Sequence, residues 1–172
     1  MKRKLISGLL LLLVLAGLIS CNNDNDLGKL RERELELLDK YIKDNNITVK
    51  PTKSGLYYIE KVKGTGDSIK PYDRVHVYYR TWLIDSTLID ENIDSLGRFY
   101  DPLAFTVAPE GTTGSVVTGL NEGVQLMKKD GKATLIMPSE LAYGQSSSSG
   151  VPLFSTLIME VWVAKVIKSG SN

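Results

Sequence analysis

The sequence predicts an α+β chain: an antiparallel sheet of five strands with one short helix across a face, preceded by a separate N-terminal helix. Three observations lead there. Strand-type segments recur at Leu56 to Val62, Arg74 to Ile84, Leu103 to Val107, Lys132 to Met137 and Thr156 to Ile167, rich in the β-branched and aromatic residues that suit a pleated surface. Among them lies a single helix-sized stripe, Leu120, Val124 and Met127, so the strand and helix alternation of a parallel sheet is missing. Ahead of them, residues 27 to 45 carry leucines and charged residues at helical spacing.

The N-terminus sets the compartment. Lys2, Arg3 and Lys4 precede an apolar run from Leu5 to Ile19, too short to span a bilayer comfortably and built like a secretion signal. It ends in Leu18-Ile19-Ser20-Cys21, which resembles a bacterial lipobox, with cleavage before Cys21 and lipid on its thiol. Cys21 is the single cysteine of the chain; in a disulfide-permissive space, covalent lipidation is the use this position implies. The expected divisions are a signal peptide at 1–20, a lipidated tether and helix at 21–54, and a globular domain at 55–168. Asn22 to Asp26 read as a solvated tether. Asn- and Asp-rich tracts after a lipidated cysteine resemble surface-export signals. The expected location is the cell envelope, in the outer membrane, on its periplasmic or surface side.

Charge excludes one class of partner. With the three basic residues of the signal removed from the 21, and all 20 acids retained, the mature chain is slightly negative and offers no nucleic-acid footprint.

In the helical segment, Leu30, Leu37, Leu38, Tyr41 and Ile42 form a narrow stripe, and Glu36 stands four residues before Lys40. Such a stripe packs on the domain or on a second copy, so a spacer and a homodimer contact are both open. Residues 46–55 break the pattern with Pro51 and Gly55, and the domain begins there. Alternation in the second strand puts Val75, Val77, Tyr79 and Leu83 on one face and His76, Tyr78, Arg80 and Trp82 on the other. Leu157, Met159, Val161 and Val163 form the apolar face of the last strand. A tyrosine on the apolar face needs a partner for its hydroxyl, or a cavity to face.

Four segments, in order, carry a family resemblance: VHVYYRTWLIDSTLID (75–90), PLAFTV (102–107), VVTGLNEGVQLMKKDGKATLIMPSELAYG (116–144) and GVPLFSTLIMEVWVAKV (150–166). They resemble the FKBP-type peptidyl-prolyl cis-trans isomerases, from about Gly55 to Ile167. The third is long, nearly gap-free and specific. The resemblance implies a strongly bent five-stranded antiparallel sheet wrapped around one short helix, with the active site between the concave face and that helix.

By position, the resemblance implies that Tyr79, Asp90 and Tyr143 are catalytic. It implies that Ile89, Leu103, Phe105, Val116, Val117, Leu120, Val151 and Met159 bind substrate. Ile89, Leu103, Leu120 and Met159 stand where the family often carries an aromatic ring, and Ile93-Asp94 rivals Ile89-Asp90, because residues 85–101 are longer than the family's connection. No cofactor or metal is implied. The expected substrates are proline-containing peptides or unfolded exported proteins, and the expected role is assistance of their folding. Loss of pocket aromatics keeps a second class open: a catalytically weak chaperone or peptide-binding module of the same fold. His76, the one histidine, lies on the outward face, and no hydrolase motif accompanies Ser146 to Ser149.

Overall fold

The computed structural model describes residues 23–147 and 150–170, with side chains from residue 26 onward. The signal run and Cys21 therefore lie outside the described residues, as do Ser148 and Ser149. Among the described residues, the chain divides into two units, one up to Arg33 and one from Glu34 onward. The second unit holds the sheet.

Helix α1 spans Asn23–Asp44, starting earlier than its leucine pattern, so most of the stretch read as tether is helical. Helix propagation adds one hydrogen bond per residue once nucleated, and the strong formers downstream extend it through weaker ones. It stops at Asn46, whose φ is 51°, a left-handed conformation that asparagine tolerates better than most residues. The Ile47 N–H then donates to the Ile42 carbonyl at 3.0 Å and the Asn46 N–H to Lys43 at 3.1 Å, satisfying carbonyls that the helix end leaves open. From Glu34 onward the helix packs on the domain: Leu38 is buried with Ile136 and Ile158, flanked by Tyr41 and Ile42.

The strands are β1 (Tyr57–Val62), β2 (Arg74–Leu83), β3 (Leu88–Glu91), β4 (Leu103–Thr106), β5 (Lys132–Met137) and β6 (Leu157–Ile167). Every pairing is antiparallel, in the order β1-β5-β6-β2-β3 with β4 also on β2. The class is the one the sequence predicts, with β3 added as a sixth strand. Register shifts at Glu60/Val62, His76/Val77 and Thr81/Trp82 mark bulges, where a strand bends and twists.

β2 organises the sheet. One edge pairs with β6 throughout; on the other, β4 pairs with Arg74 to Val77 and β3 with Arg80 to Trp82. Between those two short strands the side chain of Asn92 completes the ladder. Its Oδ1 accepts from the Tyr79 N–H at 2.6 Å, and its Nδ2 donates to the carbonyls of Val77 at 3.1 Å and Asp101 at 3.3 Å. An asparagine amide carries the same donor and acceptor as a peptide, which is why it can stand in for one.

Helix α2 (Thr118–Gln125) lies on one face. Leu120 and Val124, with Met127 beyond its end, join Val75, Val77, Leu135, Val161 and Val163 in the core, as their spacing predicts. The helix comes close enough to β5 that a Cβ on Gly123 would overlap the buried Leu135 side chain, which would have to move to admit it.

Asp73 anchors the start of β2. Its buried carboxylate accepts from the backbone N–H of Ser169 at 2.9 Å and of Lys70 at 2.9 Å, and from Lys168 Nζ at 3.0 Å. Burial alone would raise its pKa, but these donors outweigh it and hold the carboxyl below the usual range. A depressed folded-state pKa contributes stability above the unfolded value near ~3.9, and that stability is lost as pH falls through the folded pKa. Asp73→Asn is therefore expected to lower stability at pH 7 and to flatten the acid limb below about pH 4. Urea midpoints measured from pH 7 to 2 check this; parallel curves for the two proteins would contradict it.

Candidate active site

A cavity of about 760 Å³ opens between α2 and the inner face of β2, β3 and β6. Alternation on β2 aims Tyr79 into it, since Val75 and Val77 precede it on the same face. The Tyr79 hydroxyl donates to Asp90 Oδ2 at 2.6 Å. Asp90 sits on β3, directly across from Thr81. Burial, then the hydrogen bond and charge of Asp90, then the nearby Tyr143, push the Tyr79 phenol far above its ordinary value. Tyr79 thus stays a neutral donor at neutral pH.

The rival aspartate has a different task. Asp94 accepts from the N–H groups of Leu96 and Arg98, both at 2.9 Å, and from Arg98 Nε at 2.6 Å. Donors from Arg98 and Leu96 hold its carboxyl below the usual range. It closes the loop after β3 and does not line the cavity; Asp90 does.

Tyr143 arrives from a short turn. Pro138, with φ at −54° and ψ at 156°, leads into a single 3₁₀ turn, Ser139–Leu141, whose Leu141 N–H donates to the Pro138 carbonyl at 2.9 Å. The Ser139 carbonyl then accepts from both Ala142 at 2.9 Å and Gly144 at 2.8 Å, bracketing Tyr143. Gly144 has φ of 58°, which glycine adopts at no steric cost. Tyr143 is 37% exposed at the cavity, and its hydroxyl makes no hydrogen bond among the described residues.

The apolar wall is Ile89, Leu103, Val116, Leu120 and Met159. Val117 lines it too and caps α2: its carbonyl accepts from the N–H groups of Leu120 and Asn121, both at 3.1 Å. Its own N–H has no partner among the described residues, as expected at a helix start. Of the residues assigned by resemblance, Phe105 and Val151 do not line the cavity. They are 3% and 1% exposed within the core cluster. Phe105 pairs with Val75 across the β2–β4 ladder.

Other lining residues escaped the sequence reading. Thr81 lies between Tyr79 and Leu83 on the inward face, so the same alternation pointed to it. Its buried Oγ1 has no hydrogen-bond partner among the described residues. Gly111 to Ser115 form part of the lining, and no motif signals them. Their approach is set by Asn121 of α2, whose side chain exchanges hydrogen bonds with the Ala108 N–H at 2.8 Å and carbonyl at 3.0 Å.

Comparisons with known proteins bear on the family and the fold. The family model for FKBP-type peptidyl-prolyl cis-trans isomerases matches residues 66–164, more than half of the chain. The FKBP-type peptidyl-prolyl cis-trans isomerase FkpA of Escherichia coli strain K12 is 36% identical over 126 residues, covering 73% of this chain and 42% of that one. A probable FKBP-type isomerase of Haemophilus influenzae is 37% identical over 119 residues, covering 69% and 45%. The chain thus spans less than half the length of these curated relatives. The crystal structure of Escherichia coli FkpA superposes with a TM-score of 0.68 at 32% identity, covering 84% of this chain and 62% of that one. A Pseudomonas syringae isomerase structure shares the fold, with a TM-score of 0.66 at 23% identity over 82% of this chain and 96% of that one. With the family model covering the sheet from the approach to β2 through most of β6, and the fold matching in both structures, the chain belongs to the FKBP-type peptidyl-prolyl cis-trans isomerase family.

Proposed function

We propose that this chain is a peptidyl-prolyl cis-trans isomerase acting on proline-containing segments of exported proteins, held at the cell envelope by lipid on Cys21. One observation carries the enzymatic part: an apolar cavity on which a Tyr79–Asp90 pair converges with a Tyr143 hydroxyl and a Val117 N–H that are both without partners among the described residues. Rotation about an imide bond must give up amide resonance, against a barrier of ~20 kcal/mol and an uncatalysed time of roughly tens of seconds. The planar amide is the more polar state. A dry wall of Ile89, Leu103, Val116, Leu120 and Met159 therefore disfavours it relative to the twisted transition state, while Tyr143 Oη and the Val117 N–H grip the flanking carbonyls. Reaching milliseconds needs about 10⁴-fold, or roughly 5–6 kcal/mol.

The test is a protease-coupled assay on an Xaa-Pro peptide. Tyr143→Phe removes one anchoring hydrogen bond and is expected to lower kcat/KM about tenfold. Peptide binding with no rate enhancement by the unaltered chain would instead mark a chaperone module, which the aliphatic residues at Ile89, Leu103, Leu120 and Met159 favour.

Export and anchoring rest on Lys2 to Cys21. Radiolabelled palmitate should enter the chain in a bacterial host and be lost in Cys21→Ser; equal labelling would refute lipidation. The outer membrane is the expected site, and protease shaving of intact cells separates its surface from its periplasmic side. Leu30 and Leu37, seven residues apart on one face of α1, are exposed at 45% and 37%, which supports a homodimer contact through this helix. Sedimentation that shows a monomer at high concentration would exclude it.

A further inference from the structure

Glu34 lies outside the residues that the family model matches, yet its carboxylate is buried at 4% exposure against the turn that bears Tyr143. Its Oε1 accepts from the Ser139 N–H at 2.6 Å and from Thr156 Oγ1 at 2.9 Å, and its Oε2 accepts from Ser139 Oγ at 2.6 Å. Ser139 is therefore gripped from both ends. Glu34 holds its N–H and hydroxyl, while its carbonyl holds the N–H groups of Ala142 and Gly144, the two residues flanking Tyr143. Thr156 adjoins Leu157, which lines the cavity from β6.

A carboxylate is costly to bury, and charge-assisted bonds are the strong ones that compensate. The three-residue 3₁₀ turn has few bonds of its own. The helix has a second, apolar attachment to the domain, Leu38 on Ile136 and Ile158. We infer that Glu34 is a positioning residue: it locks the turn from Pro138 to Gly144 and so fixes where Tyr143 presents its hydroxyl to the cavity. This rests on the reading of Tyr143 as a group that holds substrate.

The test uses the full chain and four variants, Glu34→Ala, Glu34→Gln, Leu38→Ala and Tyr143→Phe. Peptide turnover, amide hydrogen exchange at Ala142 and Gly144, and urea midpoints are measured on each. Glu34→Ala is expected to lower kcat/KM about tenfold, to raise exchange at Gly144 at least about tenfold, and to add little when combined with Tyr143→Phe. Glu34→Gln keeps an acceptor for the Ser139 N–H and recovers most of both. Leu38→Ala lowers the midpoint and leaves turnover and Gly144 exchange near wild type. The inference is overturned if Glu34→Ala changes neither turnover nor Gly144 exchange, if Leu38→Ala reproduces it, or if its effect multiplies with that of Tyr143→Phe. Should Tyr143→Phe itself run at the wild-type rate, the functional reading fails separately. Gly144 exchange then decides on its own, a rise confined to Glu34→Ala upholding the lock and unchanged exchange removing it.

Discussion

Asn92→Ala is expected to lower the free energy of unfolding by about 3 kcal/mol. The amide bonds the Tyr79 N–H and the carbonyls of Val77 and Asp101 at a residue only 8% exposed. Alanine leaves those backbone groups without partners, and each such group costs about 1–3 kcal/mol where water cannot reach it. The edge position moderates the sum, because solvent enters once the side chain is gone. Tyr79 is also held by its own carbonyl, which accepts from the Asn92 N–H at 3.0 Å, so the variant loosens the backbone that aims the phenol. Urea unfolding with an unchanged m-value and a lower midpoint is the expected result; a midpoint within experimental error of wild type would show that the amide bridge is dispensable.

Asp90→Ala is expected to reduce kcat/KM on an Xaa-Pro peptide by about tenfold or more, with a much smaller effect on stability. A hydrogen bond to a charged acceptor is worth about 1.5–3 kcal/mol, and exposure of Asp90 to solvent places it at the low end of that range. Its loss frees the Tyr79 ring to rotate from the cavity wall and removes the main polar neighbour that holds the phenol in place. Tyr79→Phe should reproduce most of the deficit, and the double variant should fall little further, because both disrupt one interaction. Full multiplication of the two effects, or wild-type turnover in Asp90→Ala, would show that the pair does not act as a unit. Asp94→Ala serves as contrast: it opens the loop after β3 at Leu96 and Arg98 and leaves turnover near wild type.

Most of the sheet was legible because burial on one face leaves a period-two trace. Val75, Val77 and Tyr79 on β2, and Leu157, Met159, Val161 and Val163 on β6, follow it closely, and Leu120, Val124 and Met127 show the helical period. Tyr143 was legible for a different reason: proline, a polar turn and glycine in Met137 to Gly144 demand a particular backbone path, so the segment is distinctive as a string. β3 was not legible. Its four residues sit among aspartates and serines between 85 and 101, too short for a period to show.

The residues that escaped are those whose role depends on partners far along the chain. Asn92 reads as an ordinary loop asparagine until β3 and β4 are laid end to end on one edge of β2. Phe105 and Val151 carry apolar side chains that suit a cavity wall or a core equally well, and only their burial in the folded core assigned them there. Glu34 looks like one more exposed charge on an amphipathic helix, since nothing nearby in sequence marks Ser139, 105 positions away, as its partner. The amino-acid order by itself determined the class of fold, the inward face of each long strand and the tyrosine presented after the turn, because periodicity and turn chemistry are local properties of the backbone. Which carboxylate meets Tyr79, which side chain closes the gap beside β2 and which helix residue holds the Tyr143 turn were decided by tertiary structure, because a buried hydrogen bond exists only once two distant segments have been brought together and water excluded from between them.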